Sequence, residues 1–264
     1  MSDSGLVSPA WLADRLDDPT LRVVDVREPW EYASIGHIRG AVNIPFERYR
    51  DRDAADPGTL PGAHLLSQLF EAAGITPETT IVAYDDTHGV FAARFVLTAL
   101  AYGHDDVKLL DGDFTAWRTE FSVTTEKPPI QPTTYPLEGL SADAPILDES
   151  AFTKTIETGE VTVIDTRKQT EYDAFHLPGA IRLDWLELVD DETRGIKTAA
   201  DIDALLANRG IDTNRTTPIV LYCNTARRLS HTFVVLRSLG FENVTVFEGR
   251  LDTIGPVEAI DTSE

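Results

Sequence analysis

IVLYCNTARRLSHTFVV, Ile219–Val235, begins as an apolar run of strand character. It then crosses a short loop holding the only cysteine of the 264-residue chain and ends with helical spacing. A strand that gives way to a helix through a polar loop is the unit from which parallel sheets are built, and in such sheets ligands gather beyond the carboxyl ends of the strands. Cys223 stands at that end. A lone cysteine after an apolar strand is more often buried filler than a nucleophile, so its neighbours decide the reading.

The same stretch is written earlier, as IVAYDDTHGVFAARFVL over Ile81–Leu97, with Asp85 in the place of Cys223. Working outward, VVDVREPWEYASIGHIRGAVN (Val23–Asn43) matches VIDTRKQTEYDAFHLPGAIR (Val163–Arg182) with one residue deleted. VKLLDGDFTAW (Val107–Trp117) matches VTVFEGRLDTI (Val244–Ile254), and the order of the blocks is kept. One supersecondary unit therefore occurs twice. Between the copies, TTEKPPIQPTTYPLEG over 124–139 carries four prolines and no apolar periodicity, which reads as an extended linker. The expected domains are 1–123 and 140–264. In each, β-branched runs such as LRVVDV and PIVLY alternate with amphipathic stretches such as SPAWLADRLDD and AADIDALLANRG, which predicts an α/β fold with a small parallel sheet covered by helices on both faces.

Asp and Glu number 44 against 18 Arg and only 5 Lys, a net charge of −21 spread along the chain. Such a surface repels nucleic acid and anionic lipid. Its Asp-rich, Lys-poor character suggests a halophilic source, where salt screens self-repulsion. No basic-then-apolar leader opens MSDSGLVSPAWL and no run reaches membrane-spanning length, so a cytoplasmic location away from membranes is expected. One cysteine allows no internal disulfide and no multi-cysteine zinc site, and the six histidines show no metal-ligand spacing.

With the strand ending at Leu221 and Tyr222 and the helix starting near Leu229, the loop would lay backbone N–H groups around Cys223 at a helix N-terminus. That is an anion cradle able to favour a thiolate and hold a persulfide. Arg227 and Arg228 add positive charge where the rest of the chain is negative; Arg228 is the better ligand, while Arg227, in mid-loop, points toward solvent. Cysteine phosphatases use a related loop but need five residues between Cys and Arg, whereas four separate Cys223 from Arg228. A non-enzymatic binding module remains the other reading, with Asp85 in its favour for the first copy. Asp25, Arg27, Asp165 and Arg167 read as strand-end ion pairs; His37 and His176, at matching positions, read as architectural, and His231 as packing or capping.

Taken together, DVR with GHIRGAVN, DTR with HLPGA, LLDGDFTAW, and the Cys223 loop followed by SHTFVVL resemble the tandem-domain rhodaneses, the thiosulfate and 3-mercaptopyruvate sulfurtransferases. The resemblance covers nearly the whole chain. It implies two rhodanese-like domains, the first non-catalytic with Asp85 in place of cysteine, and a ping-pong transfer of sulfane sulfur through a Cys223 persulfide. It also implies a small anionic donor, thiosulfate or mercaptopyruvate, with cyanide or a thiol as acceptor and no cofactor; of the two donors thiosulfate is preferred, because two arginines suit a compact dianion. Expected donor contacts are Arg228, Arg227, Asn224, Thr225, Ala226 and Arg182. Three departures stand out. Asn224, Thr225 and Ala226 match neither donor signature of the family, Glu171 stands where an arginine often holds the donor, and Arg250–Ile254 lacks the usual tryptophan.

Overall fold

A computed structural model describes residues 5–51 and 60–249; the Arg250–Ile254 segment lies outside them. In the first domain the elements are β1 (Leu6–Val7), α1 (Pro9–Ala13), β2 (Leu21–Asp25), β3 (Val42–Asn43), α2 (Ala63–Ala72), β4 (Thr80–Tyr84), α3 (Val90–Ala101), β5 (Val107–Leu110) and α4 (Phe114–Glu120). The second domain repeats the series as β6 (Ile146–Leu147), α5 (Glu149–Glu157), β7 (Thr162–Asp165), α6 (Gln169–Ala174), β8 (Ile181–Arg182), α7 (Ala199–Asn208), β9 (Ile219–Tyr222), α8 (Arg227–Ser238) and β10 (Val244–Phe247). Each domain has one parallel five-stranded sheet, ordered β1-β5-β4-β2-β3 and β6-β10-β9-β7-β8. The central strands β4 and β9 are buried almost throughout, as helix cover on both faces requires.

Helices α3 and α8, each following the loop at the end of a central strand, pack on one another across the domain boundary. This explains the sequence of α3, VFAARFVLTALA, in which ten of twelve residues are buried: one face meets its own sheet and the other meets α8. A single apolar cluster consequently runs from Val24 and Phe95 through to Leu221, Cys223 and Phe233. Polar contacts between the halves fix their relative orientation. Arg94 of α3, 1% exposed, is bonded to Glu248. Asp113, the N-cap of α4, receives Arg194 of the second domain through Nε at 2.9 Å and Nη2 at 2.6 Å. Asp111 accepts the Ile196 N–H at 2.8 Å. The LLDGD motif is thereby assigned to domain docking.

The proline-rich segment is extended as expected, but it is laid against the first domain. Thr133 donates its N–H to the Glu71 carbonyl at 3.1 Å, and the buried Tyr135 shares a 2.7 Å hydrogen bond between its hydroxyl and His104 Nδ1.

Candidate active site

Strand β9 ends at Tyr222, and its carbonyl accepts the N–H and hydroxyl of Thr166 at 3.1 and 3.2 Å, tying the strand end to the DTR turn. Cys223 follows, 2% exposed. Asn224, Thr225 and Ala226 complete the loop, and Ala226 lies in the left-handed region at φ 57°. His88, its counterpart in the first domain, has φ 54°. A residue with a Cβ is strained there by about 1 kcal/mol, and both copies of this tight turn accept that cost. Helix α8 begins at Arg227, not near Leu229. The sequence reading missed two helical residues because an arginine pair after a loop carries no apolar periodicity.

Arg228 sits on the first turn of α8 with its guanidinium fork closed on Glu171, Nη1 to Oε2 at 2.5 Å and Nη2 to Oε1 at 3.0 Å. Glu171 Oε1 also accepts from Asn224 Nδ2 at 2.9 Å, while Asn224 Oδ1 accepts from Arg167 Nη1 at 3.2 Å. Arg167 is locked in turn on Asp165, with Nε at 2.9 Å and Nη2 at 2.7 Å, as the strand-end ion pair of the DTR turn; Asp25 and Arg27 repeat this in the first domain. Burial opposes the charge on Arg228, yet its bond to Glu171 and the neighbouring Cys223 sulfur leave its pKa above the ordinary value. The same pair holds the Glu171 carboxyl below the usual range.

Arg227 overturns the expectation that it faces solvent. As the first residue of α8 it turns toward the first domain, with its guanidinium 4.7 Å from the Phe91 ring centre and 5.4 Å from that of Phe46. Burial lowers its pKa, although it stays a cation at any physiological pH, and stacking on two rings contributes about 1 to 2 kcal/mol. It lines, with Thr225, a cleft of about 460 Å³ whose other wall is the first domain. Five acidic residues (Glu28, Glu31, Glu47, Asp85, Asp86) and three arginines (Arg27, Arg50, Arg227) border this cleft. The local inversion of charge expected from the arginine pair is therefore confined to the loop itself.

Cys223, Asn224, Thr225, Ala226, Arg227 and Arg228 are thus brought together. Arg182 ends the edge strand β8, in register with Asp165, and its guanidinium lies 3.1 Å from Glu187. His231 is fully buried, with its ring edge-on to Trp185 at 5.0 Å; burial drives its pKa down to about 3, so it packs as a neutral ring. His37 and His176 stack on Tyr32 and Tyr172 at matching positions, as architectural residues do. The sequence reading missed Phe46 and Phe91, whose placement depends on how the domains meet. No group of metal-ligating side chains occurs among the described residues. The assembly offers a near-buried thiol at a strand end with two guanidiniums beside it, and a cleft that reaches the loop at Thr225 and Arg227.

Comparison with known proteins agrees with this geometry. The chain matches the Rhodanese-like domain family over residues 8–120 and again over 149–253. It is 31% identical to a thiosulfate sulfurtransferase of Corynebacterium glutamicum, covering 92% of this chain and 85% of the relative, and 31% identical to one of Pseudomonas aeruginosa, covering 92% and 91%. Identity to the sulfur carrier protein TtuD of Thermus thermophilus is also 31%, over 92% of this chain and 91% of TtuD. Among solved structures, SseA from Escherichia coli, described as a 3-mercaptopyruvate sulfotransferase, superposes with a TM-score of 0.79 at 23% identity, over 93% of this chain and 98% of that one.

Proposed function

We propose, on the premise that this chain belongs to the family of rhodanese-like domains in two tandem copies and is a sulfurtransferase, that it moves sulfane sulfur from thiosulfate to cyanide or a thiol through a persulfide on Cys223. The observation that carries this reading is the place of the only thiol of the chain, at the end of β9 with Arg227 and Arg228 on the next turn. The Cys223 thiolate attacks the outer sulfur of thiosulfate. A bond forms between the two sulfurs, the S–S bond of thiosulfate breaks, and its electron pair leaves on sulfite. The terminal sulfur of Cys–S–S⁻ is then taken by cyanide, giving thiocyanate and regenerating the thiolate.

Arg228, Arg227, Asn224, Thr225 and Ala226 surround the donor in this reading. Arg182, at the end of β8 and paired with Glu187, is the remaining candidate contact. The catalytic domain is taken as 140–264, joined through 124–139 to a non-catalytic domain at 1–123, in which Asp85 replaces the nucleophile. No cofactor takes part, and the setting is the cytoplasm of a salt-tolerant cell, so the melting temperature should rise between ~0.1 and 2 M KCl. Thiosulfate is preferred because two arginines suit a compact dianion and because two relatives at 31% identity are thiosulfate sulfurtransferases.

Intact mass spectrometry after incubation with thiosulfate should show a gain of one sulfur atom on Cys223, lost on adding cyanide as thiocyanate appears. A parent protein that gains no sulfur from thiosulfate is not a thiosulfate sulfurtransferase. Faster turnover with 3-mercaptopyruvate would transfer the donor assignment to that compound.

A further inference from the structure

The guanidinium of Arg228 can meet a donor oxyanion bidentately through its fork, the pair of Nη edges. Both Nη atoms are on Glu171, at 2.5 and 3.0 Å, and Nε is buried without a partner among the described residues. The Glu171 carboxyl is ionised at neutral pH, and its bond to Arg228 pulls its pKa further down. It therefore presents to Arg228 the charge and two-oxygen geometry that a sulfonate-like group would present. Glu171 is also placed to leave. It lies in the first turn of α6, a helix with no buried side chain, and its own side chain is 30% exposed. Its remaining contacts are the Asn224 amide at 2.9 Å and the Lys168 N–H at 3.4 Å, both replaceable by water.

We infer that Glu171 is a specificity-determining residue: it holds the fork of Arg228 as an internal counter-anion, and a small oxyanion donor binds there only by displacing it. This rests on the sulfur-transfer reading and refines its substrate class. The site handles thiosulfate at high concentration and discriminates against it at low concentration, because every binding event must first break a bidentate ion pair. The barrier falls on binding, since the thiol and the leaving sulfite are untouched by the exchange.

Glu171→Gln keeps the shape and an amide oxygen for Asn224 while removing the charge. The KM for thiosulfate should fall about tenfold, with kcat changed by less than about threefold. Sulfate, which cannot donate sulfur, should protect Cys223 from iodoacetamide at roughly tenfold lower concentration in Glu171→Gln than in the parent. Glu171→Ala should lower KM as well, since charge is the cause. An unchanged or higher KM in both variants, or a loss of kcat at constant KM, would make Glu171 a brace for Arg228 and Asn224 and overturn the inference. The parent is the control: if it gains no sulfur from thiosulfate, the sulfur-transfer reading fails, whereas a parent that gains sulfur with sulfate protection identical in both proteins removes only the role of Glu171.

Discussion

The loops after β4 and β9 are one turn with two contents. In the first domain, Asp85 turns its carboxylate into the loop and collects four backbone N–H groups, Oδ1 from Thr87 and Gly89 at 2.7 and 2.8 Å, Oδ2 from Phe91 and Ala92 at 2.7 and 3.0 Å. Burial raises the pKa of this carboxyl, and the four donors offset part of that rise. In the second domain, Cys223 occupies the same position, and two of the corresponding donors are used on the backbone, Arg227 N–H on the Thr225 carbonyl at 2.7 Å and Ser230 N–H on that of Ala226 at 3.1 Å. Helix α8 also starts one residue earlier than α3 relative to the repeat, since Arg228 corresponds to Val90. The same turn thus encloses an anion with backbone donors in the first half and spends two of those donors on its own carbonyls in the second. One copy satisfies its loop with its own carboxylate, whereas the other carries a thiol and two arginines there.

The comparison breaks most easily at the nucleophile. Cys223→Ser should abolish thiocyanate formation, by more than about a thousandfold, while circular dichroism stays that of the parent. Activity above about a hundredth of the parent would mean that the two loops do not differ in the way described. Asp85→Ala makes the opposite test. It leaves four N–H groups around an empty carboxylate position and should destabilise the fold by about 2 to 3 kcal/mol, read by urea denaturation, with thiosulfate turnover per folded molecule kept within about threefold. A stability equal to that of the parent would show that the first cradle is not held by its carboxylate.

Smaller effects sharpen the contrast. Arg227→Ala removes the cation stacked on Phe46 and Phe91 and should lower kcat/KM for thiosulfate about tenfold, while Arg227→Lys, which keeps the charge but stacks less well, should lose less. Equal losses in both would assign Arg227 to domain packing alone. His231, the counterpart of Ala93 in the first repeat, gives a test by pH. Its folded pKa, about 3, lies below the ordinary 6.5, so the unfolded chain binds the extra proton between these values. Its contribution to stability is complete above pH 6.5 and is lost as pH falls toward 3, amounting to roughly 1 to 2 kcal/mol by pH 5. Replacement by Phe should remove that component, so the gap in melting temperature between parent and His231→Phe should change from pH 7 to pH 5. A constant gap would mean that His231 is not held neutral.

Much of this was legible in the chain. The repeat placed Cys223 opposite Asp85, and the alternation of apolar runs with helical spacing announced parallel sheets, because strand burial and helix amphipathy are written in short-range periodicity. The paired DVR and DTR turns announced their ion pairs, since Asp and Arg two residues apart at a strand end are already neighbours. The helix start at Arg227 was misplaced because charged residues on a first turn leave no periodic signal. The directions of Arg227 and Arg228 were beyond sequence spacing altogether.

Sequence alone carries the facts that one α/β unit is used twice, that a single thiol stands where such units act, and that the first copy has a carboxylate, Asp85, at the matching position. Tertiary structure decided what surrounds that thiol. Glu171 reaches Arg228 from 57 residues away, and Arg227 reaches Phe46 and Phe91 across the domain boundary. Partners so far apart in the chain meet only when α3 packs on α8 and α6 settles beside the loop. Such choices follow from three-dimensional packing and the cost of leaving a charge buried without a partner, neither of which leaves a periodic trace in the sequence.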